Sequence, residues 1–309
     1  MPERIHKKRL FAFFLCIINA IIFCFHFFAA KDILKVVHPL NFAATRGIMG
    51  GLILIVIFRK QVFKNLNKKN LRDIAIVGFL GFFINQIFFM YGLKESTPLN
   101  ASIIMNTIPI ASTLMAIVFA LEIFTWRKVS GILLGFLLIL IVALQGKSDG
   151  ISTKWGDAMI FLNVISFCLA MTIGKKIINK KLPPILLSSG MIFLGGLMLF
   201  IFSFQHTPSF FQYTFASTKN FWIMFFEVVI STSVAYYINF KALQILVPSQ
   251  TMVFIYIQPP LTAFIEYCIW GKVPHLIIVP IIFGIMISGY LVIKRSKHEI
   301  AHEKNFTRP

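Results

Sequence analysis

Apolar residues along this chain gather in long stretches that recur from one end to the other, separated by short polar segments. The stretches run to about twenty residues, which at 1.5 Å per helical residue matches the roughly 30 Å hydrocarbon core of a bilayer. The pattern therefore predicts an all-α integral membrane protein with ten transmembrane helices. We number these predicted spans 1 to 10 and place them at 10–30, 39–58, 74–93, 98–121, 129–145, 157–178, 185–204, 221–241, 248–270 and 276–293.

Span 1 follows the basic segment MPERIHKKRL, an arrangement that also precedes cleaved signal peptides. Its apolar run is longer than the roughly 7–15 residues of a signal-peptide core, so we expect a retained helix. The composition agrees with a membrane protein, because 309 residues that are 58% hydrophobic and 13% charged exceed what one water-soluble core can bury. All four cysteines fall inside predicted spans and read as apolar packing residues rather than a disulfide framework.

The net charge of +19 is distributed unevenly across the predicted membrane. Of 30 Lys and Arg, 22 lie on the side of the membrane that contains the N-terminus, and 7 lie on the opposite side. The remaining one, Arg46, lies within a span. The 22 fall in the segments 1–9, 59–73, 122–128, 175–183, 241–247 and 294–309. This bias predicts that both termini are cytoplasmic in the cell (inner) membrane, and it explains the basic charge without nucleic-acid binding.

The sequence contains a weak internal repeat, with offsets that rise slightly and in order along the chain. At offsets of 144, 145 and 150 the matches include Asn19/Asn163, Cys24/Cys168, Gly50-Gly51-Leu52/Gly195-Gly196-Leu197 and Pro109/Pro259. Each copy contains five predicted spans, so the second copy must enter the membrane in the opposite direction to the first. Inverted repeats of this kind are typical of secondary transporters, whose solute site lies near mid-membrane between the halves.

The two stretches that carry a proline in span 4 or 9 point to a known family. They are YGLKESTPLNASIIMNTIPIASTLMAIVFALEIFTWRKVSGILLG and NFKALQILVPSQTMVFIYIQPPLTAFIEYCIWGK. In these stretches, and over nearly its whole length, the chain resembles the EamA-type ten-helix members of the drug/metabolite transporter (DMT) superfamily. The resemblance implies efflux or uptake of amino acids, related metabolites or drugs, driven by exchange or an ion gradient. The two copies are then EamA-like repeats, 1–150 and 151–294, and the charge bias predicts that the basic segment 295–309 is a cytoplasmic tail.

The two halves have diverged at the charged positions. Glu122 lies thirteen residues after Pro109, as the family pattern implies, but the equivalent position after Pro259 is Lys272. Arg46 fits the family's arginine early in span 2, whereas its counterpart in the second half is Met191. A role assigned to a residue in one half therefore does not transfer to the other.

Three prolines, Pro109, Pro259 and Pro260, lie inside predicted spans 4 and 9. Proline in a helix removes one hydrogen bond and clashes with the carbonyl four residues earlier. In a membrane such a site is either a hinge with substrate-facing carbonyls or a simple packing bend. The sequence leaves both readings open.

Ionisable side chains inside spans are costly, on the order of 2.5–3.5 kcal/mol, so each is a site candidate. Arg46 is a candidate for holding a solute carboxylate; the alternatives are snorkelling to the interface or bonding helix-end carbonyls. Glu227, which shares a helical stripe with Ser231, and Glu266 are candidates for proton coupling. Glu266 lies within a turn of its span's end, where it is either a coupling residue or simply hydrated.

The uncharged polar residues inside spans complete the predicted site. We expect Asn19, His26, Asn85, Asn106 and Gln258 to line the solute cavity, with His26 on the same face of span 1 as Asn19. The alternative is that they are packed and hydrogen-bonded between helices, which is worth about 0.6–2 kcal/mol per bond.

Two other functional classes are less consistent with this sequence. A membrane-embedded transferase needs acids or histidines on a sizeable loop, and the longest non-cytoplasmic loop, about 205–220, contains His206 and no carboxylate. A passive channel needs a carbonyl filter or a ring of charges. We therefore expect a transporter rather than an enzyme, with no catalytic residues, cofactor or metal, and with a small-molecule solute and membrane lipid as partners. Oligomeric state is left open.

Overall fold

A computed structural model describes residues 2–96, 104–145, 154–270, 278–294 and 299 of the chain, and these residues contain helices and no strand. We label the main helices α1 to α10. They are α1 Pro2–Ile33, α2 Pro39–Ile57, α3 Lys68–Glu95, α4 Ile108–Val118, α5 Trp126–Gln145, α6 Lys154–Asn179, α7 Pro184–Ile201, α8 Thr218–Ile245, α9 (Pro248–Met252, Val253–Ile257 and Gln258–Trp270) and α10 Ile278–Ile293. Short helices at Arg59–Asn65, Phe204–His206 and Thr207–Phe215 connect them.

The predicted all-helical class is confirmed for the described residues. Within the part of the chain that the structure describes, six helices are long and apolar enough to cross a membrane by length and composition, namely α1, α2, α3, α6, α7 and α8. Each of the ten predicted spans overlaps one main helix, but ten crossings remain a prediction.

Local sequence explains where several helices begin. Pro39, Pro184 and Pro248 lie in the first turns of α2, α7 and α9, where the missing N–H costs no helical bond. Asn67 and Ser217 cap α3 and α8, each accepting a bond from the backbone N–H three residues later. Both caps precede long helices, which are interrupted in the same manner.

The sequence repeat has a structural counterpart in α3 and α8. Each helix contains 28 residues, and their starts at 68 and 218 lie 150 positions apart. Each is interrupted by a π-helical segment, Phe79–Ile84 in α3 and Phe226–Val234 in α8. The last residues of these two segments also lie 150 positions apart. Single π-helical interruptions occur frequently at functional sites.

Packing between the halves is symmetric. α2 packs on α7, α4 on α9 and α5 on α10, so each of these helices meets its own counterpart. The contact of α1 with α8 is matched by that of α6 with α3, and the contact of α2 with α8 by that of α7 with α3. Exchanging the halves therefore maps these contacts onto one another, as a pseudo-two-fold axis requires.

The matched glycines of the repeat lie in the α2–α7 contact. A Cβ added at Gly196 would lie 2.8 Å from the backbone nitrogen of Ile48, and one added at Gly51 would lie 2.8 Å from the Cα of Phe193. Small residues let membrane helices approach closely, so these positions need glycine.

The expectation that Pro109 lies within a continuous helix is wrong. The chain turns at Asn106 and Thr107, and α4 begins at Ile108, so Pro109 lies in a first turn where it breaks no hydrogen bond. In α9 a 3₁₀ segment, Val253–Ile257, precedes the helix that contains Pro260 in its first turn. The side chain of Pro259 lies outside the described residues. Predicted spans 4 and 9 are therefore discontinuous at corresponding places.

Candidate functional site

Six buried polar residues from four helices form what we call the central cluster: His26 on α1, Arg46 on α2, Gln86 on α3, and Glu227, Ser231 and Thr232 on α8. They lie at similar depths. His26 is seven residues before the end of α1 and Arg46 is seven residues after the start of α2. At 1.5 Å per residue these positions are about 10 Å from the helix ends, and Glu227, nine residues into α8, is about 14 Å from its end.

Glu227 is held most closely by His26 and Ser231. Its side chain has no exposed surface, and Oε2 and Oε1 lie 2.8 and 3.0 Å from Nδ1 of His26. The Ser231 hydroxyl donates to Oε2 at 3.1 Å and lies 3.0 Å from the same His26 nitrogen. An ionised carboxylate only accepts, so Nδ1 of His26 carries a proton in this arrangement. The predicted stripe of Glu227 and Ser231 is present.

Arg46 lies against Glu227 with 2% of its surface exposed. Nη2 donates to Oε1 of Gln86 at 2.7 Å, and Nη1 donates to Oγ1 of Thr232 at 3.2 Å. The distance from Nη1 to Oε2 of Glu227 is 3.7 Å, which is an ion pair but too long for a hydrogen bond. Nε of Arg46 is buried and has no hydrogen-bond partner. Snorkelling and binding to helix-end carbonyls, the two alternatives for Arg46, are therefore wrong.

The π-helical segment of α8 positions these groups. The Thr232 hydroxyl donates to the carbonyl of Glu227 at 2.7 Å, and the Ser233 hydroxyl lies 3.0 Å from the carbonyl of Val228, in both cases five residues earlier. The Thr232 hydroxyl thus accepts a bond from Arg46 and donates one to the backbone carbonyl of Glu227. The Ser-Thr-Ser run at 231–233 in an apolar helix was the only signal in the sequence for Thr232.

Asn85 joins α3 to α6 beside the cluster. Its amide donates to the carbonyl of Asn163 at 3.2 Å, and the amide of Asn163 donates back to the carbonyl of Asn85 at 2.9 Å. Its Oδ1 accepts a bond from Gln86 at 3.2 Å. Asn85 therefore holds two helices together and orients Gln86, the acceptor for Arg46.

The remaining predicted site residues lie on neighbouring elements. Asn19 is half-buried two turns before His26 on α1, and its Oδ1 is buried with no partner. Asn106 is buried in the turn before α4. Gln258 begins the last piece of α9, and its carbonyl lies 3.6 Å from Sγ of Cys24 on α1. The side chain of Glu266 lies outside the described residues.

The end of the molecule nearest the central cluster contains a second set of titratable groups. The Tyr213 hydroxyl donates to Asp32 at 3.2 Å, and Lys35 donates to the same carboxylate at 3.1 Å. Burial raises the pKa of Tyr213 to about 12, with smaller contributions from Asp32 and from Glu227. The Lys35 hydrogen bond holds the pKa of Asp32 below its usual value.

A different buried cluster lies at the opposite end, where α1 begins and α10 finishes. We call Glu122, Arg127, Lys128, Ser249 and Glu299 the end cluster. Lys128 donates to Glu122 at 2.6 Å and lies 3.1 Å from Glu299, which also accepts from Arg127 at 2.8 Å. Glu122 accepts from the backbone N–H of Ser249 at 2.9 Å and from its hydroxyl. The cluster joins the loop after α4 to the start of α9, and so links the two halves.

Comparisons with known proteins agree with this architecture. The model of the EamA-like transporter family matches residues 10–144 and 154–294. A crystal structure with 14% sequence identity has a TM-score of 0.75 over 91% of this chain and 96% of the other, which shows a shared fold.

Curated relatives are similar over part of their length. An uncharacterized transporter of Bacillus subtilis (strain 168), YyaM, is 27% identical over 43% of this chain and 44% of its own. A Chlamydia muridarum (strain MoPn / Nigg) protein named as an S-adenosylmethionine/S-adenosylhomocysteine transporter is 26% identical over 52% and 51%. An uncharacterized transporter of Archaeoglobus fulgidus is 24% identical over 57% and 61%. The chain thus spans about half the length of the curated relatives it matches.

Proposed function

Because the chain belongs to the EamA-like transporter family, we propose that it is a secondary transporter that carries a small organic metabolite across the cytoplasmic membrane. The observation that carries this proposal is the central cluster, in which Arg46 and Glu227, one from each half, meet in a fully buried site. Ionisable groups at such depth are costly and mark solute or ion pathways in membrane proteins. A site between two symmetric halves suits alternating access.

The solute site in this proposal is the central cluster and the polar residues next to it. Arg46 and His26 bind the solute from one side, Asn85 supports them through its bonds to Gln86 and Asn163, and Asn19, Asn106 and Gln258 extend the site towards α4 and α9. Glu227 couples transport to protons, and Glu266 remains a second candidate for that role. Pro109, Pro259 and Pro260 lie at the breaks of predicted spans 4 and 9, where the two halves rock against each other.

The substrate in this proposal is an amino acid or a related solute. Three relatives are named as transporters of S-adenosylmethionine and S-adenosylhomocysteine, which are both amino-acid derivatives. Arginine binds carboxylates through a planar pair of donors, so Arg46 suits the acid group that these compounds share.

Counterflow in proteoliposomes tests the function. Vesicles preloaded with one unlabelled solute should accumulate the labelled form transiently when the protein is present, since a carrier exchanges solute across the membrane. The panel contains amino acids, S-adenosylmethionine, nucleosides and the polyamine spermidine. Vesicles without protein and vesicles without preload are the controls. Uptake that never exceeds equilibrium would indicate a channel, and absence of uptake for the whole panel would contradict the proposal.

A second proposal concerns orientation: ten crossings, both termini cytoplasmic and the halves inverted. Asn67 and Ser217 are exposed, equivalent caps of α3 and α8, which makes them a matched pair. In a background with Cys268 replaced by Ser, Ser217→Cys should react with a membrane-impermeant maleimide added outside the cell, and Asn67→Cys only after permeabilisation. Equal labelling of both from one side would rule out an inverted arrangement.

A further inference from the structure

We propose that the transported solute bears a carboxylate, and that this carboxylate takes the place of Glu227 beside Arg46 when Glu227 takes up a proton. The inference rests on the proposed transport function and adds the substrate's recognised group and a one-to-one exchange with protons. It follows from the way in which Arg46 and Glu227 are bonded in the central cluster.

The contact between Arg46 and Glu227 is loose compared with the other bonds of each residue. The two charges are 3.7 Å apart, whereas Arg46 bonds Gln86 at 2.7 Å and Glu227 bonds His26 at 2.8 Å. Nε of Arg46 has no partner, although the side chain is almost fully buried. Each residue is therefore fixed mainly by bonds to its other neighbours, and their mutual ion pair can be exchanged without breaking either set of bonds.

Charge balance makes the exchange obligatory. A buried cation without a counter-ion is strongly destabilised, so Arg46 needs one negative charge beside it at every stage. Glu227 supplies this charge in the structure. If Glu227 is protonated, the balance is lost, and a carboxylate on the solute restores it. Arg46 also has the free Nε donor that a second carboxylate oxygen requires for bidentate binding.

The partners of Glu227 accommodate the proton. A hydronium ion gives its proton to Nε2 of His26 and leaves as water, while the Nδ1–H bond of His26 breaks and its proton forms an O–H bond on Glu227, which then donates to Nδ1. Ser231 keeps its contact with either form, because its hydroxyl both donates and accepts. No electrons are transferred. Solute and proton enter the site together and leave it together.

Other charged groups around Glu227 are few among the described residues. Arg46 on α2 and His26 on α1 contact Glu227 directly, and Gln86 on α3 is uncharged. Tyr213, on the short helix before α8, does not contact Glu227, but the carboxylate makes a small contribution to the raised pKa of Tyr213. Tyr213 is in turn bonded to Asp32. Because the pKa of Tyr213 is raised to about 12, it stays neutral over the physiological range and does not compete with Glu227 as a proton acceptor.

The experiment measures proton uptake and counterflow together. Wild-type protein in weakly buffered detergent with a pH indicator should take up about one proton for each molecule of S-adenosylmethionine or amino acid that binds. Binding should weaken as pH rises, approaching about tenfold per pH unit. Glu227→Gln should bind the same solutes without proton uptake or pH dependence, and should exchange them without proton-driven accumulation. Glu95→Gln, an exposed acid at the end of α3, is the matched control and should behave as wild type.

Three results would overturn the inference while leaving the transport function intact. One is counterflow confined to nucleosides or spermidine, which lack a carboxylate; another is equal counterflow of L-methionine and L-methioninamide. The third is binding of a carboxylate solute to wild type without proton uptake, which needs no variant and so does not depend on the folding of Glu227→Gln. Absence of counterflow for every solute would instead contradict transport itself.

Discussion

Glu227 and Glu122 are both buried acids that connect one half of the molecule to the other, yet their surroundings differ. Glu122 accepts three close hydrogen bonds, and its counter-ion Lys128 lies at 2.6 Å. Glu227 lies 3.7 Å from its permanent cation, Arg46, whose Nε is left unpaired. A fully satisfied buried ion pair holds two segments in one arrangement, whereas a partly satisfied one has capacity for another ligand. Under the proposed function, the end cluster holds the two halves together and the central cluster binds the solute.

The largest expected effect is on stability, at the end cluster. Glu122→Ala removes three bonds from Lys128 and Ser249 and leaves a buried cation with only Glu299, which should cost about 3–5 kcal/mol of unfolding free energy. Unfolding by SDS in mixed micelles, followed by circular dichroism, measures the loss. Lys35→Ala breaks an exposed pair at the other end and should cost about 0–1 kcal/mol. If the two variants lost similar amounts of unfolding free energy, the end cluster would stabilise the fold no more than an ordinary surface ion pair.

A smaller effect is expected on transport, at the central cluster. Arg46→Lys keeps the charge beside Glu227 but loses the planar fork that reaches Gln86 and Thr232 together, and a lost bond to a charged group is worth about 1.5–3 kcal/mol. Solute affinity should fall about 10- to 100-fold, because lysine cannot bind a carboxylate in the bidentate manner of the fork, and unfolding free energy should fall by about 1.5–3 kcal/mol, because the bonds to Gln86 and Thr232 are lost. Equilibrium binding of labelled solute checks the first value and SDS unfolding the second. Arg59→Lys, on an exposed short helix, is the matched control and should behave as wild type. Unchanged affinity in Arg46→Lys would show that the planar guanidinium group of Arg46 does not bind the solute.

Periodicity predicted the long helices well and the discontinuous ones poorly. Span 2 was expected at 39–58 and α2 runs from Pro39 to Ile57, because a long apolar run that begins with proline has few alternatives to a helix. Span 4 was expected as one helix over 98–121, but a turn at 106–107 precedes α4. Hydropathy does not detect such a break, since the residues on both sides remain apolar. The sequence match between Pro109 and Pro259 indicated where the two breaks lie, but not that one is a turn and the other a 3₁₀ segment.

The central cluster was partly predictable. Arg46 and Glu227 stood out because charges are rare inside apolar spans, and His26 and Asn85 because polar side chains at that depth turn away from lipid. Thr232 was missed, since a threonine in a membrane helix can bond its own backbone. Their pairing was not predictable from the sequence, because His26 and Arg46 lie 201 and 181 positions from Glu227.

The sequence by itself determined the helical class, the approximate helix positions, the internal repeat and the few residues whose burial is costly, because each depends on local composition or on matching along the chain. Only the tertiary structure decided which of these residues meet. It placed a cation from one half 3.7 Å from an acid of the other, and it gave Glu122 a close counter-ion at the far end. Such distances depend on how helices cross, which is set by packing between segments far apart in sequence, such as the glycine contact of α2 with α7.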